Sequence, residues 1–141
     1  MSLPTVLAPV FVQVALTFAL LFWMGRVRVR ALTQGKLKLA DIALGEPNWP
    51  PQVMQISNSF HSQFQLPVLF YLLVGLAMLT RTADWPFVAM AWLFVVSRFV
   101  HAFIHTGTNY VRHRFNAFAI GMFILLAMWL VFAVRILFGV P

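Results

Sequence analysis

Ser97–Arg114 reads SRFVHAFIHTGTNYVRHR, and this stretch decides what kind of protein the chain is. It gathers Arg98, Arg112 and Arg114, His101, His105 and His113, and Asn109 at the end of a long apolar segment. On a helix turning about 100° per residue, Arg98, His101, His105 and Asn109 fall within a sector of roughly 80°. The result is one polar stripe on an otherwise oily cylinder. Ionisable side chains in a membrane helix face other protein or a wet cavity, so the stripe marks a candidate functional site. The plainer reading is an arginine reaching up to headgroups beside two packed histidines.

Composition supports the membrane setting. Of 141 residues, 62% are hydrophobic and 9% charged, far from the soluble average. The net charge of +7 comes from ten lysines and arginines that bunch between apolar runs. Membrane-protein loops carry charge in that way, whereas a nucleic-acid binder spreads it along a polar face, so no nucleic-acid partner is expected. The absence of cysteine excludes disulfides and thiolate ligands or nucleophiles from the chain itself. Any sulfur chemistry requires a thiol brought by a ligand.

Working outward, four spans are expected at about 3–24, 53–79, 85–105 and 112–138, forming one all-α integral membrane domain, a four-helix bundle. The first is long enough to cross a bilayer and lacks the basic start of a signal peptide. In it Gln13 and Thr17, one turn apart, read as hydrogen-bonding glue to a neighbouring helix. Residues 25–51 read as the long loop, where Arg26, Arg28, Arg30, Lys36 and Lys38 oppose Asp41 and Glu46. Gly35, Gly45, Pro47, Pro50 and Pro51 break any long helix there. The arginines anchor topology, or bind an anionic ligand's carboxylates through residues such as Arg28 and Arg30.

The second span opens with Gln55, Asn58, Ser62 and Gln65 at spacings of three, four and three, a polar seam that must avoid lipid. Such a seam either glues helices or touches a ligand. His61 at its edge reads as a packed residue. Pro67 is expected to kink the helix and free a backbone carbonyl. TADWP at 82–86 is a helix start, with Asp84 as cap and Pro86 in the first turn. Gly107 marks the break before the last span, and Arg135 can snorkel at that span's end.

The first and third connections carry Arg26, Arg28, Arg30, Lys36, Lys38, Arg112 and Arg114, leaving only Arg81 and Arg135 for the other side. The positive-inside rule then puts both termini outside, on the periplasmic side of a bacterial inner membrane, and both basic connections in the cytoplasm. At 1.5 Å per residue the seam of the second span lies roughly 8–18 Å inside the cytoplasmic face. The Arg98–His105 stripe covers roughly the outer 12 Å of the same half. The two polar rows overlap in depth, with Arg112 and Arg114 at the mouth.

Four spans, a basic first loop, SQFQLPVLFY and WLFVVSRFVHAFIHTGTNYVRHRF together resemble the MAPEG family, the membrane-associated proteins in eicosanoid and glutathione metabolism. The similarity is greatest to its small bacterial members and covers nearly the whole chain. Family synthases carry an arginine, a tyrosine three later, a tyrosine four beyond, and an arginine seven beyond that. Here the series reads Arg98, His101, His105, Arg112. The resemblance implies that Arg112 stabilises the thiolate of glutathione, since a fixed cation beside a thiol lowers its pKa. It implies that His101 or His105 contacts glutathione or acts as a base. Asn58, Ser62 and Gln65 stand where the family has arginine, asparagine and glutamate, and a homotrimer with the site between subunits is implied.

The leading expectation is therefore a membrane protein that binds glutathione, or a similar anionic thiol, as co-substrate at the cytoplasmic half. It would conjugate that thiol to a lipophilic electrophile, or reduce one with it, as a glutathione transferase or peroxidase does. The alternative is a non-catalytic binder of membrane lipids, or an accessory subunit of a larger membrane complex. A metal or haem on His101 and His105 is a third possibility, weakened by the lack of an acidic second shell.

Overall fold

The computed structural model describes residues 1–45 and 48–141. Glu46 and Pro47, read above as a counter-charge and a helix breaker, lie outside the described residues. The chain forms α1 (Leu3–Thr33), a short 3-10 turn (Leu39–Ile42), α2 (Pro51–Ser62), α3 (Leu66–Leu79), α4 (Trp85–Thr106) and α5 (Val111–Phe138), with no strand among the described residues. Four segments are long and apolar enough to cross a membrane: α1, α2 with α3, α4, and α5.

Two boundaries differ from the sequence expectation. Helix α1 runs on to Thr33 rather than ending near Met24, so residues 25–33 are helix and not loop. Arginine is a good helix former, and a stretch of alternating arginine and valine carries no glycine or proline to stop it. The second span is broken outright rather than kinked at Pro67. Gln63, Phe64 and Gln65 form tight i to i+3 turns, with backbone N–H groups donating to Phe60, His61 and Ser62 at 3.0, 3.1 and 3.3 Å. Pro67 follows as an early residue of α3, where its missing N–H costs nothing.

Helix α4 is the centre of the bundle. Its buried residues Phe87, Val88, Ala91, Phe94, Val95, Arg98, His101, Ala102 and His105 recur at helical spacing and meet α1, α2 and α5. In the apolar half, Phe70, Leu73, Val74 and Ala77 of α3 share one core with Ala91, Phe94 and Val95 of α4 and Leu125 and Met128 of α5, and the Phe70 and Phe94 rings lie 4.8 Å apart. Lipid is as apolar as leucine, so close van der Waals packing and small residues hold such helices together. Gly121 shows this directly: a Cβ built on it would lie 2.7 Å from Ser97 Oγ. The outward faces of α1, α4 and α5 carry exposed large side chains such as Phe22, Phe103 and Phe123, as lipid-facing surfaces do.

Asp84 caps α4 as expected, accepting from the Phe87 N–H at 3.2 Å. Arg135 does not snorkel away from the protein. Its Nη2 pairs with Asp84 Oδ2 at 2.7 Å, and its Nη1 donates to the Thr82 carbonyl at 3.1 Å. This clasp ties the end of α5 to the α3–α4 turn.

Gly121→Leu should lower stability by about 1–3 kcal/mol through overpacking against Ser97, read by thermal unfolding in detergent. The Arg135 guanidinium holds the Asp84 carboxyl below its ordinary value. The clasp therefore contributes fully above the unfolded carboxylate pKa of about 4 and is lost as pH falls through the lower folded value. Because the Asp84 side chain is 42% exposed, the effect is at most about 1 kcal/mol. Melting curves between pH 6 and 3 should show an acid-sensitive component that Arg135→Gln removes.

Candidate functional site

The break in the second span creates the polar centre of the bundle. At the end of α2 the i to i+3 turns take up the Phe60, His61 and Ser62 carbonyls with single bonds, the one to Ser62 a long 3.3 Å, and Ser62 Oγ still needs a partner in a place where water is scarce. Arg98 answers from α4: its Nη2 donates to the Ser62 carbonyl at 3.2 Å and to Ser62 Oγ at 2.6 Å. The guanidinium is 1% exposed. A cation at a helix C-terminus is also favoured by the helix dipole. Behind the break, Gln13 Nε2 of α1 donates to Gln63 Oε1 at 2.8 Å, and Gln63 Nε2 donates to the Ser59 carbonyl at 3.0 Å. Gln13 is thus the interhelical glue expected of it. Gln63, its partner, falls outside the seam's spacing and was not singled out.

In front of Arg98 and Ser62 lies an open cleft of about 460 Å³ between α2, α4 and the start of α5. Its polar lining comes from Asn58, His61, Ser62, Gln65, His101, His105 and Arg114, and Val111, Phe115 and Phe118 form an apolar wall. The expected polar rows do face each other: Asn58, Ser62 and Gln65 look across at His101 and His105. Gln55, the first of the seam, reaches the Gly107 carbonyl with a long contact of 3.4 Å. His101 and His105 stack edge to face at 5.3 Å, with Nδ1 of each unpartnered. Among the described residues no group of three or more His, Asp and Glu could hold a metal ion.

Other sequence candidates fall elsewhere. Arg98 stands behind the cleft wall rather than in it. Arg112 is exposed and does not line the cleft of the single chain, whereas Arg114 does. The two are about 200° apart on α5, so only one can face inward. The phase was readable: stepping back from the buried Ala117 and Gly121 by three and seven residues lands on Arg114. Asn109 is not part of the α4 stripe, which ends at Thr106. It occupies the interhelical turn at φ 51°, a left-handed conformation asparagine tolerates. Its Oδ1 accepts from Arg114 Nη1 at 2.7 Å, holding that guanidinium over the cleft. His61, read as packed, is exposed and lines the cleft.

Arg28 and Arg30, paired in the sequence reading, are separated by helix phase. Arg28 donates to Ser57 Oγ at 2.9 Å and lies 5.0 Å from the Trp49 ring centroid. Arg30 lines a different cavity with Arg26 and Lys36.

The family model for MAPEG matches residues 6–134. The chain belongs to the MAPEG family. No curated protein and no solved structure matches it. It is accordingly an integral membrane protein of the family of glutathione and eicosanoid metabolism, and the α2–α4–α5 cleft is a polar cavity of this MAPEG bundle.

Removing the Arg98 side chain takes its donor from Ser62 Oγ and leaves the Ser62 carbonyl with only the 3.3 Å bond from the Gln65 N–H. Arg98→Ala in this MAPEG chain should therefore cost about 1–3 kcal/mol, while Arg112→Ala at its exposed position should stay within about 0.5 kcal/mol. Thermal unfolding in detergent, followed by far-UV circular dichroism, compares the two.

Proposed function

We propose that the protein binds glutathione or a similar anionic thiol in the cleft between α2, α4 and α5, and conjugates it through its sulfur to a lipophilic electrophile arriving from the bilayer, or reduces that electrophile with it. The observation that carries this reading is the cleft's mixed lining: amides, hydroxyl and imidazoles from α2 and α4, and from α5 the Arg114 guanidinium among Val111, Phe115 and Phe118. At about 460 Å³ it is of the size of small-ligand sites. Arg114 and the Asn58, Ser62 and Gln65 groups suit carboxylates and a thiolate. Val111 and Phe115, both exposed, offer an oily approach for the second reactant. In conjugation the thiol loses its proton to His101, His105 or water, and its sulfur forms a bond to the electrophilic carbon as that carbon's leaving group departs with its electron pair or, at a double bond, as the π pair shifts to the next atom and takes up the proton. In reduction of a hydroperoxide, two thiols would end as a disulfide, with alcohol and water released.

The arginine that steadies the thiolate is Arg114 if the site is complete in one chain. It is Arg112, the residue the family series points to, if a second subunit of a homotrimer closes the site. We place the cleft in the cytoplasmic half of a bacterial inner membrane, with both termini periplasmic, from the basic connections at that end. The alternative role, a lipid binder or accessory subunit without turnover, draws on the same exposed apolar wall.

Isothermal titration of the detergent-solubilised protein with glutathione should give heat, and Arg114→Ala should weaken binding by about tenfold or more. Loss of turnover in Arg112→Ala with Arg114→Ala active would assign the thiolate role to the former. Among the described residues no carboxylate lines the cleft to meet the ligand's ammonium group, so the deaminated peptide should bind about as tightly. Neither heat nor conjugation with the unaltered protein refutes the proposal, and a co-purified lipid in that case supports the alternative.

A further inference from the structure

A second cavity, of about 310 Å³, lies between the last turns of α1 and the start of α2. Trp23, Arg26, Arg30, Lys36, Pro50 and Gln52 are among its lining residues. We propose that this cavity binds the phosphate of an anionic phospholipid headgroup through Arg26, Arg30 and Lys36.

Three observations bring these cations together. Arg26 and Arg30 are four residues apart on α1 and share a face, whereas Arg28, between them, turns the other way to Ser57 and Trp49. Lys36 is delivered by the end of α1. Gly35 sits at φ +71°, its N–H donates to the Leu32 carbonyl at 3.2 Å, and the Lys36 N–H donates to the Ala31 carbonyl at 3.1 Å. That pair of bonds is the Schellman closure, which folds the chain back over the helix it terminates. Lys36 therefore returns to the same cavity as the two arginines.

No carboxylate among the described residues pairs with any of the three. Asp84 is held by Arg135, and Asp41 accepts the Lys38 backbone N–H at 3.0 Å. Ordinary topology anchoring explains basic residues at a membrane surface, but it does not require them to converge on one cavity. Gln52 and Val53 of the first turn of α2, a turn whose N–H groups have no helical partners, also line it.

Depth points to a lipid. About 20 residues of helix cross the hydrocarbon layer, so α1 leaves it near Trp23. Trp23 is 40% exposed, and a tryptophan at such a position belongs at headgroup level. A phosphate held by the three cations thus sits at headgroup height, with its acyl chains free to descend along the exposed Phe22 and Phe18 of α1. This cavity is separate from the α2–α4–α5 cleft and shares no lining residue with it.

The test is native mass spectrometry of the full-length protein with equimolar phosphatidylglycerol and phosphatidylcholine of the same acyl chains. Preferential retention of phosphatidylglycerol is expected. Arg30→Gln with Lys36→Gln should cut that preference by about tenfold or more. Lys38→Gln, which removes one charge from the same connection outside the cavity, should leave it unchanged. Thermal unfolding checks the double variant, and should it fail to fold, Lys36→Gln alone must lower the preference severalfold. Equal retention of the two lipids, or a preference that survives the substitutions, overturns the proposal. Displacement of phosphatidylglycerol by millimolar inorganic phosphate would show a free-anion site instead, and displacement by glutathione would fold the cavity into the thiol site; either result overturns it.

Discussion

A buried guanidinium bound to the end of a broken helix is the constraint on which this bundle turns. In water a helix may stop anywhere, because solvent takes up the loose carbonyl groups. Inside a bilayer each loose group costs several kcal/mol, so α2 can end at Ser62 only with its polar groups taken up, in part by the Gln63–Gln65 turns and in part by a donor from a neighbouring helix. Arg98 is that donor, and it too could not be buried without an acceptor. Each feature makes the other tolerable. Their meeting fixes the depth of α2 against α4, and with it the alignment of Asn58, Ser62 and Gln65 opposite His101 and His105.

Around this polar joint the rest of the bundle is held by contacts of different kinds at its two ends. One end relies on dry packing of Phe70, Phe94 and their neighbours, and on the close approach of Gly121 to Ser97. It is closed by the single ion pair among the described residues, between Asp84 and Arg135. The other end has no such apolar seal. It opens into two cavities lined by basic and amide groups, with α2 as the partition between them. Packing is thus concentrated at the Asp84–Arg135 end, and the buried polar atoms without partners, Trp129 Nε1 apart, lie toward the other.

Much of this was legible in the chain. Apolar runs located the four spans, Asp84 and Pro86 marked the start of α4, and Gln13 was read as glue. The spacing of Asn58, Ser62 and Gln65 picked out the face that meets α4. What escaped the sequence depended on phase or on a partner far along the chain. Arg112 and Arg114 look alike until the small residues Ala117 and Gly121 set the inward face of α5. Arg135 looks like a snorkelling end group until Asp84, fifty-one residues earlier, appears beside it. Gln63 has no meaning without Gln13. The continuation of α1 through its arginines is hidden because a run of charge after an apolar span looks like a loop, although arginine favours helix.

The split of the second crossing has a bearing on how the protein is made. With 12 and 14 residues, α2 and α3 reach roughly 18 and 21 Å, and neither alone covers a hydrocarbon layer of about 30 Å. They must enter the bilayer as one unit, yet their joint lacks its cation until α4 has been synthesised. During biogenesis the nascent crossing therefore carries an open seam, and the arrival of residue 98 is what converts two half-length rods into a sealed wall.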